Sequence, residues 1–183
     1  DPEIQKALSI AACFGNSFDC ENVGEITQMT PEDCQERLTT AVEEGLIVRG
    51  TSEDQDVAAT YAFAHERLRK IAYDMLSDSE KEEMHLKIGK LLFSLCTKED
   101  RSNCIFDILL QLNQSHALIT SPDFRIEVAE MNLEAGMKAR DSAAFGSAYN
   151  YISEGISLLT PEAWKSNYNL ILSCIRRRMH FPL

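Results

Sequence analysis

Histidines, cysteines and clustered carboxylates are where chemistry would first be sought, and here their spacing excludes more than it assembles. The six cysteines, Cys13, Cys20, Cys34, Cys96, Cys104 and Cys174, form no Cys-x-x-Cys motif, and no His–Cys cluster has zinc-ligand spacing. No metal site is expected. Five of the six lie beside or within apolar helical stretches, so they read as reduced, mostly buried thiols. Gly89-Lys90 is followed by leucine inside an amphipathic stretch and makes no phosphate loop. Gly15-Asn16-Ser17 shares only its first residues with a nucleophile elbow, and no predicted strand leads into it. The neighbours Glu43–Glu44 and Glu82–Glu83 point about 100° apart on a helix, as solvated faces do. Arg176-Arg177-Arg178 could hold an acidic partner but suits a helix end, where cations favour the dipole. No catalytic residue is assigned.

His85, His116 and His180 have no acid, thiol or second imidazole at ligand spacing. His65 differs, because it stands where the β-prone run Tyr61-Ala62-Phe63-Ala64 hands over to the amphipathic stretch from Glu66 to Leu76. A histidine at a strand-to-helix junction can cap the helix through its ring, or present a nitrogen to an anion at the positive helix end.

The elements around these residues are legible from punctuation and periodicity. Prolines follow capping residues at Asp1-Pro2, Thr30-Pro31, Ser121-Pro122 and Thr160-Pro161, each the start of a helix. Ser79-Glu80-Lys81-Glu82 matches a capping box and marks a fifth start. Apolar stripes follow at helical spacing: Cys34, Leu38, Ala41 and Val42; Leu68, Ile71, Ala72, Met75 and Leu76; Met84, Ile88, Leu91, Leu92 and Leu95. Further stripes are Ile105, Ile108, Leu109, Leu112 and Ile119, then Ile126, Ala129, Leu133 and Gly136, then Ala148, Ile152 and Ile156. The exception comes after Gly45, where Leu46–Gly50 and Ala59–Ala64 flank a polar Thr51–Asp56 stretch and read as a two-stranded hairpin with a long loop. Three helices, a hairpin and a helix at His65 is the order of a winged helix-turn-helix. From Phe124 to Pro161, Ala135-Gly136, Phe145, Ala148 and Gly155 would let two antiparallel helices approach closely, as tetratricopeptide pairs do. Residues 162 to 178, opened by Trp164, would begin the next unit.

The fold expected is therefore mainly α: a winged helix over residues 1–76 and a tetratricopeptide-like helical array over 77–183. Charge limits what such a winged helix can bind. The 183 residues carry 29 acids against 18 Lys and Arg, a net −11. Residues 1–75 hold fifteen acids and six bases, the wrong sign for contacting several phosphates of a duplex. Neither nucleic acid nor membrane is an expected partner: no apolar run reaches the roughly 18 residues a bilayer span needs, and Asp1-Pro2-Glu3-Ile4 does not look like a signal peptide. A cytosolic location is expected.

Three segments carry a family likeness: Ile4 to Phe18, Ala41-Val42-Glu43-Glu44-Gly45-Leu46-Ile47, and Tyr61-Ala62-Phe63-Ala64-His65-Glu66-Arg67-Leu68-Arg69-Lys70-Ile71-Ala72-Tyr73. Together they resemble the winged-helix segment of STAND signal-transduction ATPases, above all the large AAA-type modules of multidomain sensors with serine/threonine-kinase-like and histidine-kinase domains. The stretches His85–Leu92 and Phe106–Asn113 resemble the lead into the tetratricopeptide-like helices of those proteins.

The resemblance implies a parent protein that is an ATPase and a kinase and binds ADP or ATP, with none of that machinery in these residues. In that family the winged helix packs on an upstream nucleotide-binding domain, and a histidine at the matching junction contacts the β-phosphate of bound ADP. Only His65 matches that position, with Glu66 where relatives carry aspartate. The chain would then be a lid plus the start of a sensor arm that takes a protein partner; the rival reading is a free-standing helical adaptor that uses its winged helix only for protein docking.

Overall fold

The computed structural model describes residues 2–50, 60–97 and 100–159. Among them are eight α-helices and one small sheet. They form two compact units that part between Leu91 and Leu92, later than the sequence boundary after residue 76. That boundary marks only the turn between α4 (Glu66–Asp74) and α5 (Asp78–Leu95). The first half of α5 belongs with α4 because the Tyr73 hydroxyl lies 2.9 Å from His85 Nε2 and Lys81 Nζ lies 3.9 Å from Asp74.

In the first unit, α1 (Pro2–Phe14) buries Ile4, Ala7, Leu8, Ala11 and Ala12 and packs against three other helices. Strand β1 (Ser17–Asp19) follows, and Asp19 accepts the Asn22 amide at 2.6 Å to start α2 (Cys20–Thr27). Thr30 likewise accepts the Asp33 amide at 3.1 Å and caps α3 (Pro31–Glu43). Gly45, at φ +71°, takes the left-handed conformation that turns the chain out of α3 into β2 (Ile47–Arg49). Strand β3 (Thr60–Phe63) runs antiparallel between the other two, giving the order β1-β3-β2. The two-stranded hairpin of the sequence reading is thus corrected to three strands. Three residues are too few to show alternation, but buried Phe18 fixes β1 by packing on Tyr61 and Phe63 at ring-centroid distances of 6.1 and 5.5 Å. The polar stretch from Thr51 and the first residue of the second predicted strand, Ala59, lie outside the described residues.

Two further expectations shift. The capping box of α5 is Ser77 with Glu80 rather than Ser79 with Glu82: the Ser77 amide donates to Glu80 Oε2 at 2.8 Å, and the Glu80 amide reaches Ser77 Oγ at 3.4 Å. Both pairs fit the motif; Ser77 is the one standing before the first helical residue. On α4, Ala72 is buried but Ile71 and Met75 remain 54% and 51% exposed, because half-buried Tyr73 turns inward toward His85 in their place.

The second unit contains α6 (Arg101–Leu112), a 3-10 helix Asn113–Leu118, α7 (Pro122–Asp141) and α8 (Phe145–Leu158). Ile105, Ile108, Leu109, Leu112 and Ile119 are all buried, as their spacing requires. The small residues of α7 and α8 lie where the helices meet. A Cβ on Gly136 would stand 3.2 Å from the Ala148 carbonyl, and one on Gly155 would stand 3.1 Å from the Ala129 carbonyl. Position 136 opposing 148 and 129 opposing 155 make the pair antiparallel. Asn132, fully buried, exchanges two 2.9 Å amide hydrogen bonds with Asn113. Arg125 donates to the Leu158 and Ile119 carbonyls at 2.8 and 3.1 Å, joining the start of α7 to the end of α8. The further helix expected at 162–178, with Trp164, Arg176–Arg178 and His180, lies outside the described residues.

Candidate functional site

His65 is held by backbone rather than by its ring. The Phe63 amide donates to the Asn16 carbonyl at 3.0 Å and the Ala64 amide to the Leu46 carbonyl at 3.1 Å, so both flanks of the sheet anchor the residues just before it. Its own carbonyl accepts the Leu68 and Arg69 amides at 2.9 and 3.3 Å, which starts α4. His65 occupies the N-cap position with extended backbone (φ −147°, ψ 142°), but its side chain makes no capping hydrogen bond. The capping role open from sequence is therefore not the one the ring plays. The imidazole is exposed, at a helix start whose first amides no side chain caps.

The adjacent charges are set by Arg69. Its Nε donates to Glu66 at 2.9 and 3.0 Å and its terminal nitrogen makes a further short contact with the same carboxylate. This hydrogen bonding holds Glu66 below its ordinary carboxyl value and raises Arg69 further. Arg69 also reaches the Ala12 carbonyl at 3.4 Å, which fixes the first turn of α4 against α1. With Arg67 and Lys70 exposed on the same turns, residues 66–70 carry three cations against one acid in an otherwise acidic unit. The sequence reading passed over this island because the surrounding net charge masks it; the run Arg67-Leu68-Arg69-Lys70 was the available signal.

A second polar cluster lies behind α4. His85 is 3% exposed and hydrogen-bonds Tyr73, and Lys81 sits 4.8 Å from the Tyr73 ring centroid. Burial is the main cause that pushes the Cys13 thiol up to about 11, opposed by the charges of Lys81 and Arg69. Tyr73 was missed as the partner of His85 because twelve residues of sequence separate them.

The remaining candidates stay apart. Ser17 is exposed on β1, and Glu43, Glu44, Glu82 and Glu83 are all exposed. His116 is exposed. On α3, Glu32, Asp33, Glu36 and Glu43 face solvent while its cation Arg37 is half-buried. Among the described residues no three His, Cys, Asp or Glu side chains gather as a metal site, and no helix is long and apolar enough to cross a membrane. Cys13 and Cys34 are buried free thiols, whereas Cys20, Cys96 and Cys104 are only half-buried, fewer buried than the apolar spacing suggested. An open groove of about 540 Å³ runs between α2 and the start of α3, with Cys20, Glu21, Glu25 and Met29 on its walls.

The chain is similar to hybrid signal transduction histidine kinase G of Dictyostelium discoideum, with 25% identity over 228 aligned residues. The match covers 94% of this chain and 7% of that protein's length. No protein-family model and no solved structure matches the chain.

Proposed function

We propose that the chain is a non-catalytic regulatory and protein-interaction segment of a STAND-type signalling ATPase, with a winged-helix lid followed by a tetratricopeptide-like sensor arm. The observation that carries this reading is the likeness, along nearly its whole length, to a small part of a large signalling histidine kinase. The order α1-β1-α2-α3-β2-β3 with β3 central supports the winged helix, and the glycine contacts of α7 and α8 support the repeat pair.

In this reading the lid packs on an upstream nucleotide-binding domain in the cytoplasm, and exposed His65 meets the β-phosphate of ADP held there. The backbone that positions the ring is fixed from both sides of the sheet, so contact has to order only the side-chain torsions of His65. A protein partner on the arm then shifts the closed-to-open population by its differential affinity for the two states.

The test measures ADP release from a protein carrying the upstream domain. A hydrogen bond to a charged group contributes about 1.5–3 kcal/mol, so His65→Ala speeds release by about 10- to 100-fold. An unchanged off-rate removes His65 from the mechanism.

A further inference from the structure

We propose that the groove between α2 and the start of α3 is a docking site for a basic amphipathic helix of a protein partner. The groove holds about 540 Å³ and is lined by Cys20, Gly24, Met29 and Pro31, which are apolar, and by the carboxylates of Glu21 and Glu25. Backbone sets its shape. Gln28, at φ 59°, ends α2 in the left-handed conformation. The Met29 amide donates to the Gly24 carbonyl at 3.1 Å, and the Cys34 amide to the Thr30 carbonyl at 2.9 Å. The turn that joins the two helices is thus formed before any partner arrives, and binding does not have to order it.

Charge selects the occupant. Between Lys6 and Arg37 the chain carries six acids and no lysine, arginine or histidine. Glu21 and Glu25 are both exposed, one turn apart on α2, where like charges repel. Among the described residues neither stands in an ion pair. A lysine or arginine laid across them relieves that repulsion, whereas a phosphate, a nucleic acid or an anionic lipid surface meets the wrong sign.

The groove's form decides between a small cation and a protein segment. No third acid, histidine or cysteine joins the two carboxylates as a metal site among the described residues. A small organic ligand needs most of its surface enclosed, which an open groove does not supply. A helix fits both features: an apolar residue seated against Met29 has neighbours three and four positions away on the same face, and lysine or arginine there meets Glu21 and Glu25. This surface lies in the first unit and needs neither a nucleotide-binding domain nor the helical array.

The experiment mixes the whole chain with a fluorescent synthetic peptide of lysine and leucine at amphipathic helical spacing. Two control peptides replace its leucines by serine at equal charge, or its lysines by glutamate. Cys20 is half-buried and lines the groove, so its alkylation rate reports occupancy. Cys96 and Cys104, half-buried in the second unit, are the internal reference. With free peptide at ten times its Kd, Cys20 alkylation is expected to slow about tenfold while the reference thiols keep their rates. Glu21→Gln with Glu25→Gln weakens binding by about threefold to tenfold and flattens its salt dependence. Glu82→Gln with Glu83→Gln on α5 removes the same charge and leaves Kd unchanged. All four glutamates are exposed, so both double variants keep the core intact. Absence of binding, Cys20 reacting at full rate under bound peptide, equal weakening by both double variants, or equal affinity for either control peptide would each overturn the proposal.

Discussion

The contact between α7 and α8 can be tested one glycine at a time. A Cβ placed on Gly136 stands 2.6 Å from Ile152 Cγ1 and 3.2 Å from the Ala148 carbonyl oxygen. Ile152 is 2% exposed, with little room to move aside. Overpacking of this kind costs about 1–3 kcal/mol, against a gain of about 0.5–1 kcal/mol from replacing a mid-helix glycine. Gly136→Ala is therefore expected to destabilise the second unit by about 1–2 kcal/mol, or about 5–15 °C in Tm for a unit of this size. Gly146 is the internal control, because nothing lies within 4 Å of its added Cβ; Gly146→Ala should gain a few tenths of a kcal/mol or more. Gly155 lies between the two, with the Ala129 carbonyl and Asn132 Cβ both at 3.1 Å, so its alanine variant should fall near neutral. Urea and thermal unfolding followed by circular dichroism give the order. Ile152→Ala should remove most of the additional cost of Gly136→Ala in a double-mutant cycle. If Gly136→Ala stabilises as much as Gly146→Ala, the two helices do not approach at that point.

Other perturbations have signs that follow from the structure. Ala143 sits at φ +59° in the α7–α8 turn, so Ala143→Gly should raise stability by about 0.5–1 kcal/mol in urea titration. Tyr73→Phe removes one hydrogen bond of buried His85 and should cost about 0.5–1.5 kcal/mol, read as a lower unfolding midpoint of the first unit. Burial raises Cys13 to about 11 and Cys34 to about 12 from an ordinary value of 9.0. The unfolded chain ionises these thiols first. Their contribution is complete below pH 9 and is lost as pH rises toward 11–12, so unfolding midpoints should fall over that range, less steeply in Cys34→Ala. Glu80 runs the other way: hydrogen bonds from Ser77 lower it from 4.5, so its contribution holds above pH 4.5 and fades as acid takes the folded state through the lowered value. Glu80→Gln should flatten that acid limb.

Helix positions were legible because the signals are local and redundant. Thr30-Pro31 and Ser121-Pro122 mark starts that capping geometry repeats in the structure, and Ile105, Ile108, Leu109 and Leu112 bury as one stripe. Failures came where a signal was short, duplicated or non-local. Strand β1 has three residues and one buried side chain, Phe18, whose partners on β3 lie more than forty positions away. Two overlapping capping boxes begin at Ser77 and Ser79, and the motif does not say which serine precedes the helix. On α4 the stripe fits helical spacing, yet Ile71 and Met75 are exposed, because a phenol facing a buried imidazole outcompetes them for the interior. His65 was located by its place between a strand and a helix; the partnering of Arg69 with Glu66 and Ala12 needed the fold.

Charge arithmetic also bears on how the proposed lid could meet a phosphate at all. A net −11 repels free polyanions at long range, but at physiological ionic strength charges further than about 8 Å are largely screened. Residues 66–70 rise only about 6 Å along the axis of α4. In the first turns after His65 the chain carries Arg67 and Lys70 exposed, while Arg69 and Glu66 engage each other. The two ranges therefore act with opposite sign. A phosphate arriving alone is repelled, whereas one delivered by a docked domain at the α4 N-terminus meets cations, uncapped amides and the imidazole. This predicts that removing the local charge, in an Arg67→Gln, Lys70→Gln double variant, weakens ADP retention in the protein carrying the upstream domain, while the same loss of two positive units of net charge made on exposed residues of α3, in Gln35→Glu, Thr39→Glu, leaves it unchanged. Equal effects from both variants would show that only net charge matters and that the junction has no special place.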